Sequence, residues 1–421
     1  MANLLQRVLA NGRNLVVFAV ALAVLASATT ASGQTPEAPP TPYASIASRG
    51  VSYVGPGREA TYNLAGPTIR VGLMAPLHGP RKAEGDAIVA SAQLALEDAS
   101  QNPLPGGRRL ELAIGDESGP SWGHTADDLI HLVLDKQAVA VITSADGSTA
   151  HLSEQVGNRI GVPILTLSTD KTTTQIDIPW VFRLGPSDTD QARVMAEDIY
   201  RTRGLRRVLL VVESDHDGRL GGKEFQEAAR QFAAPRVTVL PADPQQPDAD
   251  SLLAVMKRES PEAIVFWTRA KTARTLIRRI REDGLQTPLY LAQEAAQEGS
   301  RLSFAPHDAS ERDVDQHDRM WTVASAGAES PLEESFARRY QSLTGVLPSP
   351  VAAEAYDAVR LIVRALREAG PNRARVRDRL ASVRNDAGAS GLISFDQEGN
   401  NRASVRLVRL MERESPSATG F

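Results

Sequence analysis

Twice along this chain, short runs of Val, Ile and Leu alternate with amphipathic stretches at helical spacing, and this double alternation constrains the fold more than any other feature. In the first set, 68–75 (TIRVGLMA), 109–114, 139–142 and 162–167 read as strands, with helices at 85–100, 125–136 and 148–160. After Phe182-Arg183-Leu184-Gly185-Pro186 the pattern restarts, with helices at 188–202, 223–232, 250–259 and 270–283. Strands at 207–212, 237–240, 263–267 and 288–291 lie between them. Near-continuous apolar strands separated by amphipathic helices make parallel sheets covered on both faces. Two such sets predict an α/β protein of two doubly wound, Rossmann-like lobes. The remainder forms no third set: a strand at 320–326, helices at 331–344, 349–369 and 373–384, then strands at 391–395 and 405–410 around the turn 396–400. That is what is left when a chain passes back and forth between two lobes already built.

At 421 residues the chain exceeds one ordinary core, since domains run to about 100–200 residues. Residues 1–33 stand apart. Arg7 and Arg13 precede the uncharged run 15–26 (LVVFAVALAVLA), and small residues follow to Gly33. The run is short of the roughly 20 residues that span a bilayer, so 1–33 reads as a cleavable signal peptide for export. Residues 34–67 read as a Pro-rich disordered tether and lead-in, and 414–421 as a tail. With no cysteine, disulfides, thiolate metal sites and a lipid-bearing lipobox are excluded. Signal and missing lipobox together predict a soluble periplasmic protein. A formal net charge of −4 gives no reason to expect nucleic acid or an anionic membrane as partner.

Catalytic signatures are missing: there is no HExxH, no GxSxG and no GxGxxG after a strand. Residues 218–224 (GRLGGKE) are one residue short of a phosphate loop and carry Glu224 where Ser or Thr would hold magnesium. Their glycines read as a turn before a helix. The seven histidines (78, 124, 131, 151, 216, 307, 317) show no metal-ligand spacing with a carboxylate. Neither metal nor cofactor nor enzymatic activity is expected. Asp215 and Asp217 form an acidic pair at a strand end that could bind a cation, but without further ligands the pair reads first as a solvated loop.

Small polar residues gather where parallel sheets bind ligands, outside the carboxyl ends of strands. In the first lobe these are 76–85 (PLHGPRKAEG), 144–149 (SADGST) and 168–171 (STDK). Ser148 is placed to cap the helix that follows, leaving backbone N–H groups and the positive dipole end for an anion.

These segments resemble the leucine/isoleucine/valine-binding proteins of bacterial ABC importers, type I periplasmic binding proteins. The likeness lies in RVGLMAPLHGP (70–80), ALEDAS (95–100), GVPILTLS (161–168), VFRLGPSDTDQA (181–192), PSPVAAEAYDAV (348–359) and GLISFDQEGN (391–400). It implies two lobes joined by three crossovers near 184–187, 323–326 and Leu392. The first lobe would comprise 68–185 and 326–391, the second 187–322 and 393–413. It implies a monomer that clamps a small solute, an amino acid, amide or similar carboxylate, and delivers it to an inner-membrane permease. A sensor or accessory binding protein of the same fold, serving a receptor or periplasmic enzyme, is the alternative.

By the same resemblance Gly147, Ser148, Thr149, Ser168, Thr169 and Asp170 would hold the ligand's carboxylate. The 214–218 loop, with Asp217, would cover the ligand, an acid at Gln293-Glu294 would take an ammonium, and Trp267 is a further candidate ligand group of the second lobe. Several positions depart from the family pattern: Glu84 where an aromatic is common, Gly147 for a serine, Asp170 for a threonine, His216 or Asp217 for a tyrosine, and Gln293 for the acid. Asp170 would repel a carboxylate. The ligand therefore need not be a branched-chain amino acid.

Overall fold

A computed structural model describes Tyr53 and residues 55–174, 180–232, 235–296, 302–304, 319–325 and 330–412. The expected signal peptide, the tether up to 52 and the tail lie outside the described residues.

The first half runs β1 (Thr68–Ala75), α1 (Lys82–Ser100), β2 (Arg109–Asp116), α2 (Ala126–Ile130), β3 (Val141–Thr143), α3 (Gly147–Ile160), β4 (Ile164–Thr166) and β5 (Val181–Arg183). The second continues through α4 (Asp188–Ala196), β6 (Arg207–Glu213), α5 (His216–Ala229), β7 (Arg236–Ala242), α6 (Ala249–Glu259), β8 (Ala263–Trp267), α7 (Ala270–Glu282) and β9 (Leu289–Leu291). Then come β10 (Leu302–Phe304), β11 (Met320–Ser325), α8 (Pro331–Thr344), α9 (Pro350–Ala369), α10 (Arg373–Ala381), β12 (Asp386–Ala387), β13 (Leu392–Ile393) and β14 (Val405–Glu412).

Two doubly wound sheets result. The first is parallel, in the order β2-β1-β3-β4-β5. The second has the order β10-β14-β11-β9-β8-β6-β7. Its run from β11 to β7 is parallel, while β14 and β10 add antiparallel strands at one edge. Each sheet has a core on both faces, because alternate strand residues point opposite ways. From β1, Ile69, Val71, Leu73 and Ala75 enter one core and Met74 the other. From β6, Leu209 and Val211 enter one, with Val208, Leu210 and Val212 opposite.

The chain leaves the first sheet after Arg183 and enters the second lobe at α4, then returns after β11 so that α9 packs in the first core. The last passage differs from the expectation near Leu392. Ile393 and Phe395 are still buried in the first core, and Phe395 lies against Phe182. Two large apolar side chains hold the strand to the first lobe before the chain departs toward β14.

The lead-in is not wholly a free tether. Tyr53 packs edge-on against Trp180, with ring centroids 5.0 Å apart, and its backbone N–H donates to Asp378 Oδ1 of α10 at 2.6 Å. Among the described residues no helix is long and apolar enough to cross a membrane.

Residues 218–224 are also not a turn. They lie inside α5, capped by Asp215 Oδ1, which accepts from Gly218 N–H at 2.8 Å. The glycines let the helix lie close to its sheet: a Cβ on Gly221 would overlap the Trp267 indole nitrogen, and one on Gly222 would stand 2.8 Å from Val212 Cγ2. Gly221→Ala is therefore expected to cost about 1–3 kcal/mol by overpacking, read as a lower urea midpoint at unchanged slope.

Candidate functional site

Parallel strands end together, so loops far apart in sequence meet at one sheet edge. The first lobe contributes Arg81 and Glu84 after β1, Glu117 after β2, Asp146 and Gly147 after β3, and Ser168 to Asp170 after β4. The second contributes Asp215 to Asp217 after β6, Arg269 after β8, and Gln293 and Glu294 after β9.

Two guanidinium groups organise the carboxylates. Arg81 Nη2 lies 2.7 Å from Glu84 Oε1, and its Nη1 lies 3.3 Å from Glu117 Oε1 and 3.4 Å from Asp146 Oδ2. Burial disfavours its charge, but Glu84, Glu117 and Asp146 hold it firmly protonated. Arg269 Nη2 lies 3.1 Å from Asp146 Oδ2, across the lobes, and 3.4 Å from Asp217 Oδ2. Its Nε lies 3.0 Å from Asp215 Oδ2. Asp146 stays ionised against its burial because both guanidinium groups face it.

Acids outnumber bases here, and the surplus pushes some carboxyls toward the neutral form. Burial, with Asp146 adding repulsion, pushes Asp217 up to about 7 against the pull of Arg269. Burial likewise lifts Glu117 to about 8 despite Arg81. Glu294, beside Asp217, is pushed well above the usual range by burial. Acceptors also outnumber donors: Glu117 Oε2, Asp217 Oδ1, Gln293 Oε1 and Glu294 Oε1 are buried without a hydrogen-bond partner. Gln293 is held by its own N–H, which donates to Gln191 Oε1 at 2.8 Å, and by its Nε2, which donates to Glu354 Oε1 at 2.8 Å.

The residues expected to grip an anion are arranged otherwise. The cap of α3 is Asp146, not Ser148: its Oδ1 accepts from Thr149 N–H at 2.9 Å, and Ser148 sits one residue into the helix, half-buried. The N–H of Gly147 is not free either, since it donates to Asp217 Oδ2 of the other lobe at 3.2 Å. A protein carboxylate thus occupies a dipole end that could have bound a ligand's. Asp217 is not in a solvated loop but buried in the first turn of α5. Trp267 lies in the core beneath α5 rather than over a ligand, because Gly221 makes room for its indole. Glu84 reaches Arg81 and accepts from Ala145 N–H at 3.3 Å.

Ser168 Oγ accepts from Asp170 N–H at 3.2 Å, and Thr169 Oγ1 donates to Asp188 Oδ1 at 2.7 Å. Burial opposes ionisation of Asp170, yet hydrogen bonds from His151, Thr172 and His216 hold its carboxyl well below the ordinary range. Sequence reasoning missed Arg81, Arg269 and Asp146 as the charges that organise the site. The available signal was a charged residue within a few positions of the end of an apolar strand, as in Trp267-Thr268-Arg269.

Two doubly wound sheets with polar strand ends meeting face to face define the type I periplasmic-binding-protein fold. A family model described as periplasmic binding protein matches residues 68–415, and the chain belongs to that family. It is 24% identical over 219 residues to Leu/Ile/Val-binding protein homolog 3 of Brucella melitensis, covering 52% of this chain and 59% of that protein. The chain thus spans little more than half the length of the curated relatives it matches. The branched-chain amino acid transporter substrate-binding protein LivJ of Streptococcus pneumoniae, in complex with isoleucine, superposes with a TM-score of 0.70 at 20% identity, over 82% of this chain and 100% of that one. A solute-binding protein of an ABC transporter from Rhodopseudomonas palustris BisB5, in complex with 3,4-dihydroxybenzoic acid, gives 0.69 at 16% identity, over 83% and 97%. These structural likenesses show the shared fold.

Proposed function

We propose that this chain is the solute-binding component of an ABC importer, exported through residues 1–33, working in the periplasm with an inner-membrane permease. It acts by binding and closure rather than by catalysis. The observation that carries this reading is the convergence of strand-end residues from both lobes on one cluster, joined across the lobes by Arg269 and Asp146 at 3.1 Å. A solute touching both lobes binds the closed form better and so shifts the equilibrium toward it.

The cluster also speaks for the solute's chemistry. The unpartnered acceptors Gln293 Oε1 and Glu294 Oε1 call for donors. The surplus of acids favours a cation over an anion. A small polar solute bearing an amino group, an amino acid or amide-like compound, meets both demands, with Glu294 facing the amine.

Thermal denaturation in the presence of a solute panel tests this reading. Free amino acids and their amides are set against amine-free acids such as benzoate and 3,4-dihydroxybenzoate. An amine-bearing solute is expected to raise the melting temperature, adding about 2.7 kcal/mol at a hundredfold excess over its dissociation constant. It is also expected to shrink the radius of gyration in X-ray scattering. Stabilisation by amine-free acids alone would overturn the amine assignment, and tight binding without compaction would overturn the clamp.

A further inference from the structure

Beside Gly147, three groups meet that no local spacing in the sequence connects. His151 stands one turn into α3, Asp170 follows β4, and His216 opens α5 on the other lobe. Asp170 Oδ2 lies 3.1 Å from His151 Nε2 and 3.0 Å from His216 Nε2. One potential ligand atom from each residue falls within 4.8 Å of the other two. The imidazole rings stand at 90° with centroids 5.9 Å apart, so two nitrogens approach one carboxylate oxygen from different directions.

Each group is braced from behind. His151 Nδ1 lies 3.0 Å from Glu154 Oε2. Donating to that carboxylate, Nδ1 would leave the Nε2 lone pair to ligate, the arrangement that orients metal-binding histidines. Asp170 Oδ1 accepts from the N–H and Oγ1–H of Thr172 at 2.8 and 2.7 Å, which fixes the carboxylate and leaves Oδ2 facing the rings. Thr172 Oγ1 also lies 2.8 Å from His151 Nε2.

A second observation comes from Asp217, whose buried Oδ1 has no hydrogen-bond partner. It borders the same space: a Cβ on Gly147 would overlap it while standing 3.2 Å from both Asp170 Oδ2 and His216 Cδ2. The missing side chain of Gly147 is what allows these groups to share that volume.

Two imidazole nitrogens and a carboxylate oxygen suit zinc and its neighbours among the divalent ions. Around a tetrahedral ion with bonds of about 2.0–2.2 Å, donor atoms stand roughly 3.3 Å apart. The two separations at Asp170 are within a few tenths of an ångström of that edge. We propose that a divalent first-row transition-metal ion, zinc as the type, binds between the lobes on His151 Nε2, Asp170 Oδ2 and His216 Nε2, with Asp217 Oδ1 facing the fourth position. Because His216 comes from the second lobe, the complete ligand set exists only in the closed form, and the ion draws the lobes together. The seven histidines carry no metal spacing in sequence, so nothing local pointed to the site proposed here.

The test uses the full chain, free of any affinity tag and stripped with EDTA, titrated with Zn²⁺ alone by calorimetry. Co²⁺ serves as the spectroscopic probe. One ion per chain, a smaller radius of gyration and a tetrahedral Co²⁺ absorption band are expected. His151→Gln and His216→Gln should each weaken binding by about a hundredfold or more, and Glu154→Gln by roughly ten- to a hundredfold. His131→Gln, at an exposed ring paired with Asp135, should bind like the parent. Melting temperatures in EDTA establish that each variant is folded; both target rings are part-exposed, so little change is expected. A plain hydrogen-bond network, with both histidines donating to Asp170, predicts the contrary. Absence of saturable Zn²⁺ binding, or parental affinity in folded His216→Gln, would overturn the metal site whatever organic solute the protein carries.

Discussion

Arg269→Ala should open the cleft and cost about 3–5 kcal/mol of stability, the largest single effect expected at this site. The guanidinium lies between Asp146 of one lobe and Asp215 and Asp217 of the other. Its backbone N–H and Glu213 hold the loop in place beneath it. Without that charge, Asp215 and Asp217 lose their guanidinium partner, and only Arg81, 3.4 Å from Asp146 Oδ2, is left to balance the three carboxylates. Breaking a buried network by removing one partner leaves the others uncompensated, which is why the cost exceeds that of an ordinary pair. Part of the penalty can be relieved by letting water in, and that requires the lobes to part. The variant should therefore show a larger radius of gyration in X-ray scattering as well as a lower urea midpoint. Arg207→Ala, which removes an exposed pair with Glu262, is the control and should change stability by no more than about 1 kcal/mol. An Arg269→Ala protein as compact and as stable as the parent would mean that this arginine does not hold the lobes together.

Stability should also fall as the pH rises from about 5 to about 8, and Glu354→Gln should remove part of that slope. Glu354 lies in α9, against Gly185 at the first crossover, and accepts from Gln293 Nε2 of the second lobe at 2.8 Å. Burial lifts its carboxyl from the ordinary 4.5 to about 8, with Gln293 opposing and Asp357 adding repulsion. Between those values the folded protein holds a proton that the unfolded chain has released, so raising the pH favours unfolding. Below the unfolded value both states are protonated and nothing is lost; above about 8 the penalty is complete. Each such group contributes up to about 1.4 kcal/mol per pH unit within its window. Glu117 adds a slope of the same sign, since burial lifts it to about 8 as well. An amide at 354 can accept the same hydrogen bond without ever carrying charge. Urea unfolding at a series of pH values decides the matter: an identical slope in parent and Glu354→Gln would show that this carboxyl is already ionised in the fold.

Both predictions concern contacts between the lobes, and these were the least legible part of the sequence. The strands and helices were readable because their signals are local. A run such as Leu209-Leu210-Val211-Val212 is apolar on both faces and can only be a covered strand. The polar strand ends were readable for the same reason: parallel strands deliver their carboxyl ends to one edge wherever the chain goes in between. Where local signals competed, the reading slipped. Gly218, Gly221 and Gly222 suggested a turn, yet the backbone is helical there because close packing on Trp267 and Val212 outweighs the conformational cost of glycine. Ser148 looked like the cap of its helix, but Asp146 takes that role.

The sequence by itself determined two doubly wound lobes and the sheet edge at which their polar strand ends gather. These follow from periodicity and residue type, which act over a few positions at a time. Only the tertiary structure decided which charges meet. Arg269 reaches Asp146, and His216 reaches Asp170, because the crossovers swing one lobe's strand ends onto the other's. Pairings between residues this far apart along the chain depend on the docking of two finished bodies, and that docking leaves no periodic trace in the sequence.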